Sequence, residues 1–131
     1  MGQAIAGGVA EGQLKEALLE RYTPQMYEKI SGAAVAIAGL GGLGSHIAVM
    51  LARAGVGRLF LVDFDRVELT NLNRQAYDLS HLGQRKTEAL PGILQKINPY
   101  LQIQAQNIRV TAENAPGLFG GYPILCEAFD K

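Results

Sequence analysis

The chain reads Gly39-Leu-Gly41-Gly42-Leu-Gly44, a G-x-G-x-x-G spacing. Glycine at the three motif positions allows a tight turn, a close approach of backbone to a phosphate, and close packing of the next helix on the preceding strand. The start of that helix offers free N–H groups and a partial positive charge to an anion. Asp63 stands 19 positions after Gly44, at the end of the next apolar run. A carboxylate there is suited to accept two hydrogen bonds from a ribose diol. Thus far a dinucleotide and a nucleoside triphosphate are served equally.

Residues further along separate the two. Asp65 adds a second acid beside Asp63, and Asn71, Arg74 and Gln75 gather in a polar segment. Arg85-Lys86 then opens a helix, where cations oppose the helix dipole. A positive pair placed there, with Arg74 ahead of it, predicts an anionic ligand and favours a triphosphate. His46 and His81 read as packing or surface histidines. Cys126 reads as a small core residue.

The elements that must position these residues follow from periodicity. Residues 1–9 are weakly patterned and read as a loose terminus. From Glu11 to Ile30 apolar residues recur at three- and four-residue steps, a helical stripe broken near Thr23-Pro24. Ala33 to Gly39 reads as a buried strand, Leu43 to Ala54 as a helix closed by Gly55 and Gly57, and Arg58 to Asp63 as a second strand. Phe64 to Gly83 is a long polar connection of the kind that usually carries function. Arg85 to Ile97 has helical spacing, with Pro91-Gly92 expected to kink it or delay its start. Leu101 to Ile108 alternates as a strand, Thr111 to Phe119 reads as a short helix, and Tyr122 to Cys126 as a fourth strand.

Strands alternating with helices in this way predict an α/β fold, Rossmann-like, with a mostly parallel sheet and helices on both faces. Residues 1–30 form a tail and N-terminal helix, and residues 31–131 the nucleotide-binding domain. With nothing after the last strand, the sheet is expected to be incomplete.

Composition narrows the partners. The 131 residues are 48% hydrophobic and 18% charged, and 12 Lys+Arg balance 12 Asp+Glu. Zero net charge gives no global field for a nucleic acid or an anionic membrane. No apolar run is long enough to span a bilayer. A single cysteine excludes an internal disulfide and a four-thiolate zinc site, which fits a reducing cytoplasm.

In order and spacing, Gly39 to Ser45, Ala54-Gly-Val-Gly57, Asp63-Phe-Asp65, Asn71-Leu-Asn-Arg-Gln75, Lys86 and Ile97-Asn-Pro99 resemble the ThiF/MoeB/HesA family, relatives of the ubiquitin-activating enzymes. The resemblance runs from about Arg21 to Asp130. It implies an adenylyltransferase that uses ATP and Mg²⁺ to activate the C-terminal carboxylate of a ubiquitin-like sulfur-carrier protein, of ThiS or MoaD type, for thiamine or related cofactor biosynthesis. It puts Gly39, Gly41, Gly42 and Gly44 under the nucleotide and Asp63 on the ribose, with Asp65 close by. It puts Asn71, Arg74, Gln75 and Lys86 along the phosphates, and Asp130 on the metal, with Arg74, Lys86 and Asp130 as the catalytic set. Glu127 stands where the family has the first Asp of its D-x-x-D pattern. The family's N-terminal arginine, which reaches into a neighbouring subunit, falls at Pro24, with Arg21 as a substitute; a homodimer is implied all the same. The family's zinc-binding cysteine pairs and its later catalytic cysteine have no counterpart in these residues. Rival readings are a TcdA-like ATP-dependent tRNA threonylcarbamoyladenosine dehydratase, an NAD-dependent oxidoreductase, and a non-catalytic nucleotide-binding module.

Overall fold

The computed structural model describes Ile5, Ala6 and residues 8–129. Strands β1 (Ile5–Ala6) and β2 (Val9–Ala10) pair antiparallel, Ile5 opposite Ala10 and Ala6 opposite Val9. The start of the chain, expected to be loose, is therefore partly tied into a ladder. Tyr100 fastens it further by donating its hydroxyl to the Val9 carbonyl. Two-residue strands carry no period that a sequence pattern could reveal.

The N-terminal helical stripe divides into α1 (Glu11–Leu19) and α2 (Pro24–Ser31). The break falls at Thr23-Pro24 because proline at the first helical position lacks only an N–H that has no partner there anyway. Thr23 caps the helix, its Oγ1 accepting from the Met26 amide at 3.1 Å.

The body follows as β3 (Ala34–Ala38), α3 (Gly42–Ala54), β4 (Arg58–Asp63), α4 (Lys86–Ile97), β5 (Gln102–Asn107), α5 (Ala115–Phe119) and β6 (Ile124–Glu127). Between β4 and α4 the polar connection makes two short 3₁₀ turns, Leu69–Asn71 and Leu79–His81. The strands form one parallel sheet in the order β5-β4-β3-β6. Val35 of β3 faces Leu59 on one side and Ile124 on the other, and Ala38 faces Val62 and Glu127.

Alternation along the strands splits the core in two. Val35, Ile37, Leu59 and Leu61 pack against Ala48 and Ala52 of α3 and Leu90 and Leu94 of α4. Ala36, Ala38, Phe60 and Val62 pack on the other face against Phe119 of α5, with Leu118 and Tyr122 beside it. Helices thus cover both faces, as the alternating pattern predicted.

Two boundaries differ from expectation. Helix α4 starts at Lys86 and runs through Pro91. Leu90 and Leu94, both fully buried, anchor that stretch to the sheet, and such packing outweighs the roughly 3 kcal/mol that an interior proline costs. Helix α5 begins only at Ala115. Thr111 and Asn114 exchange side-chain-to-backbone hydrogen bonds of 2.8 and 3.2 Å, a reciprocal cap over the turn that leads into α5.

Because β4 and β6 flank β3 on opposite sides, the chain order reverses at β3. In open α/β sheets the crevice at such a reversal, beyond the carboxyl ends of the strands, is where ligands bind. Among the described residues no helix is long and apolar enough to cross a membrane.

Candidate functional site

The glycine loop leaves β3 at this reversal and lies against the chain leaving β6. Gly39 has φ +99°, and a Cβ there would meet the Ala128 carbonyl carbon at 2.8 Å. A Cβ on Gly44 would fall 1.7 Å from the Gly39 carbonyl oxygen. The first and last glycines are therefore required by the loop's contacts with β6 and with itself. Over Gly41 lies the Gln75 amide, and over Gly42 the stem of Arg74. Helix α3 begins without a side-chain cap, which leaves first-turn amides available to an anion.

Asp63 ends β4 almost fully buried. Its Oδ2 accepts from the Leu40 amide at 2.7 Å, and its Oδ1 accepts from the Phe64 and Asp65 amides at 2.6 and 3.0 Å. Three of the roughly four acceptor positions of a carboxylate are thus committed to backbone. The residue expected on a ribose therefore also locks the loop to the end of the neighbouring strand. Asp65 is exposed, and among the described residues its carboxylate carries no hydrogen bond or ion pair. Its carbonyl accepts from the Lys86 amide at 3.0 Å.

Lys86, the first residue of α4, lines a cleft with Gly39, Gly41, Asp63, Asp65 and Phe129. The residue is only 5% exposed. Among the described residues its ammonium has neither an ion-pair partner nor a hydrogen bond. A buried cation is costly unless it is paired, so this ammonium makes the cleft suited to negative charge. Gln75 is 7% exposed, and its Oε1 is buried without a hydrogen-bond partner among the described residues. Arg74 is exposed and donates to the Thr70 carbonyl and to Asn73 Oδ1 at 3.2 and 3.1 Å, which leaves other guanidinium N–H groups without a partner among the described residues.

Asn71 plays a different part, its Oδ1 accepting from the Glu68 amide at 2.8 Å and shaping the first 3₁₀ turn. Asp130 lies outside the described residues. Among those described, no three His, Cys, Asp or Glu side chains cluster as metal ligands.

Two contributors went unseen in the sequence. The Tyr77 hydroxyl, buried, donates to the Leu40 carbonyl at 2.7 Å. Burial first, and then the nearby Asp63 charge, hold this phenol protonated well above its ordinary range. Ser45 is fully buried; its Oγ donates to the Gly41 carbonyl and accepts from the Ala76 amide at 3.1 Å. Ser45 closes the glycine motif and Tyr77 lies two positions past Gln75, but nothing in their spacing reveals the bonds. Asp63, Ser45 and Tyr77 together hold the loop in one shape before any ligand arrives, the preorganisation that an anion site needs.

Comparison with known proteins places these features in a family. The model of the ThiF family matches residues 14–131. The sulfur carrier protein adenylyltransferase of Thermus thermophilus is 35% identical over 118 residues, covering 89% of this chain and 44% of that protein. Ubiquitin-like modifier-activating enzyme 5 of Caenorhabditis elegans is 44% identical over 85 residues, 65% of this chain and 20% of that one. The E. coli tRNA N6-threonylcarbamoyladenosine dehydratase TcdA, solved in complex with ATP, superposes with a TM-score of 0.85 at 30% identity, over 91% of this chain and 50% of that one. The chain spans half or less of the length of each.

Proposed function

The chain belongs to the ThiF family, and from that premise we propose that its cleft binds MgATP within a cytoplasmic adenylyltransferase. The substrate on this reading is the C-terminal glycine carboxylate of a ubiquitin-like sulfur-carrier protein of ThiS or MoaD type, activated for thiamine or related cofactor biosynthesis. The observation that carries it is Lys86, a buried cation with no counter-ion among the described residues, set beside an uncapped helix start and a glycine loop.

A C-terminal carboxyl has a pKa near 3.3–3.7 and is ionised at neutral pH, so the attack needs no general base. A carboxylate oxygen bonds to the α-phosphorus while the bond to the bridging oxygen breaks and pyrophosphate leaves. The barrier is one of anion meeting anion. Lys86 and Arg74 offset that charge, the α3 amides and glycine loop cradle the phosphates, and Asp63, with Asp65 close by, takes the ribose. Asp130 is the residue proposed to hold magnesium, which supplies further charge neutralisation on the polyphosphate. Removing one of the two cations costs on the order of a hundredfold in rate, by analogy with oxyanion donors.

The test is a thermal-shift titration with MgATP, ATP plus chelator, and NAD. At a hundredfold its Kd a ligand adds about 2.7 kcal/mol, a rise of roughly 10 °C for a domain of this size. A rise with MgATP that shrinks in Lys86→Met supports the reading. A rise with NAD alone overturns it in favour of an oxidoreductase.

A second reading is a TcdA-like dehydratase acting on a modified tRNA base, favoured by the superposition on TcdA. Zero net charge weighs against an RNA substrate. Pyrophosphate exchange that requires the carrier protein, rather than tRNA, separates the two.

A further inference from the structure

We propose that His46 is a positioning residue for Arg74, fixing the point from which the Arg74 guanidinium reaches a polyphosphate. The proposal rests on the reading of the cleft as a nucleotide site. His46 lies two residues after Gly44 on α3, and its Nε2 is 2.9 Å from the Arg74 carbonyl oxygen. A carbonyl only accepts, so Nε2 carries the hydrogen; the neutral Nε2–H tautomer and the protonated ring both supply it. Ser45, the residue before, accepts from the Ala76 amide. Consecutive residues of α3 therefore grip the chain on either side of Gln75. Between these grips the Arg74 stem crosses Gly42, its Cγ and Cδ 3.8 and 3.9 Å from where a Cβ would stand.

This fixes the base of a long side chain at the open start of α3. An arginine whose backbone is already held loses less freedom when it engages a ligand. The imidazole itself is exposed, so the core does not require it. Its fixed bond is to the backbone of a residue whose own side chain faces the phosphates on this reading.

The experiment measures ATP and AMP affinity calorimetrically for wild type, His46→Leu, His46→Gln, Arg74→Ala and the His46→Leu/Arg74→Ala double variant. Glutamine places its amide nitrogen where Nε2 sits, so His46→Gln keeps the donor. His46→Leu is expected to weaken ATP about five- to tenfold, the worth of one hydrogen bond, with AMP little changed. His46→Gln is expected to restore ATP affinity, and His46→Leu to add nothing once Arg74 is alanine. Undiminished ATP affinity in His46→Leu overturns the proposal, as does an equal loss in the Arg74→Ala background. A wild type that binds neither nucleotide overturns the cleft reading itself and this proposal with it.

Discussion

The Leu40 amide donates to the Asp63 carboxylate at 2.7 Å across 23 positions of sequence. That bond joins the start of the glycine loop to the end of the adjacent strand. It makes Asp63 part of the architecture as well as a ribose candidate, and the two roles are separable. Asp63→Ala strips an acceptor from three backbone amides, one of them in the loop. Hydrogen bonds to a charged acceptor contribute about 1.5–3 kcal/mol each, with part recovered by water. Urea unfolding without ligand should show a loss of about 2–4 kcal/mol. A ribose-only Asp63 would leave that midpoint unchanged.

Tyr77→Phe leaves the Leu40 carbonyl buried without its donor, at a cost of about 1–3 kcal/mol near neutral pH. The phenol also gives the protein an alkaline limit. In the unfolded chain it titrates near 10.0, while in the folded chain burial pushes it higher. Above that pH the unfolded chain binds fewer protons than the folded one. The contribution is therefore intact below about pH 10 and declines as pH rises, by at most about 1.4 kcal/mol per unit. Unfolding free energies of wild type and Tyr77→Phe, compared from pH 7 to 11, should converge at the alkaline end.

Lys86→Met removes a buried ammonium with no partner among the described residues and keeps a flexible apolar stem. Residues selected for a site rather than for stability show this signature on removal. The melting temperature without ligand should stay level or rise, while the MgATP-induced shift collapses. A large fall in unliganded stability would mean that Lys86 is structural.

Gly44→Ala and Gly42→Ala should part sharply. A Cβ at 44 would overlap the Gly39 carbonyl oxygen at 1.7 Å, a backbone clash that cannot relax without moving the loop. A Cβ at 42 meets only the Arg74 stem at ordinary contact distance. We expect Gly44→Ala to lose about 4 kcal/mol or more, or to fail to fold. Gly42→Ala should fall within about 1 kcal/mol of wild type, since alanine favours helix. Chemical denaturation of both checks the contrast.

The fold was largely legible because its signals are local. Apolar runs such as Ala33 to Ala38 and Leu59 to Val62 mark buried parallel strands, and Gly55 closes the intervening helix where the pattern stops. Pro91 does not delay the start of α4, because its penalty is local, while the burial of Leu90 and Leu94 that offsets it depends on the sheet. Thr111 does cap, its Oγ1 accepting from the Asn114 amide, but the residues between them form a turn and the helix itself starts at Ala115.

The sequence by itself determined which side chains could meet an anion: the spaced glycines, Asp63, Arg74, Gln75 and Lys86 form a chemical inventory that survives folding unchanged. Only the tertiary structure decided how each is used. It spends most of the Asp63 carboxylate on backbone amides, buries Lys86, and recruits Ser45, His46 and Tyr77 to hold the loop and Arg74. The reason is physical. Residue type and periodicity act over a few positions, whereas burial and hydrogen-bond partners are fixed when segments distant in sequence are packed together, and in that packing the contacts of Leu40 with Asp63 and Tyr77 come into being.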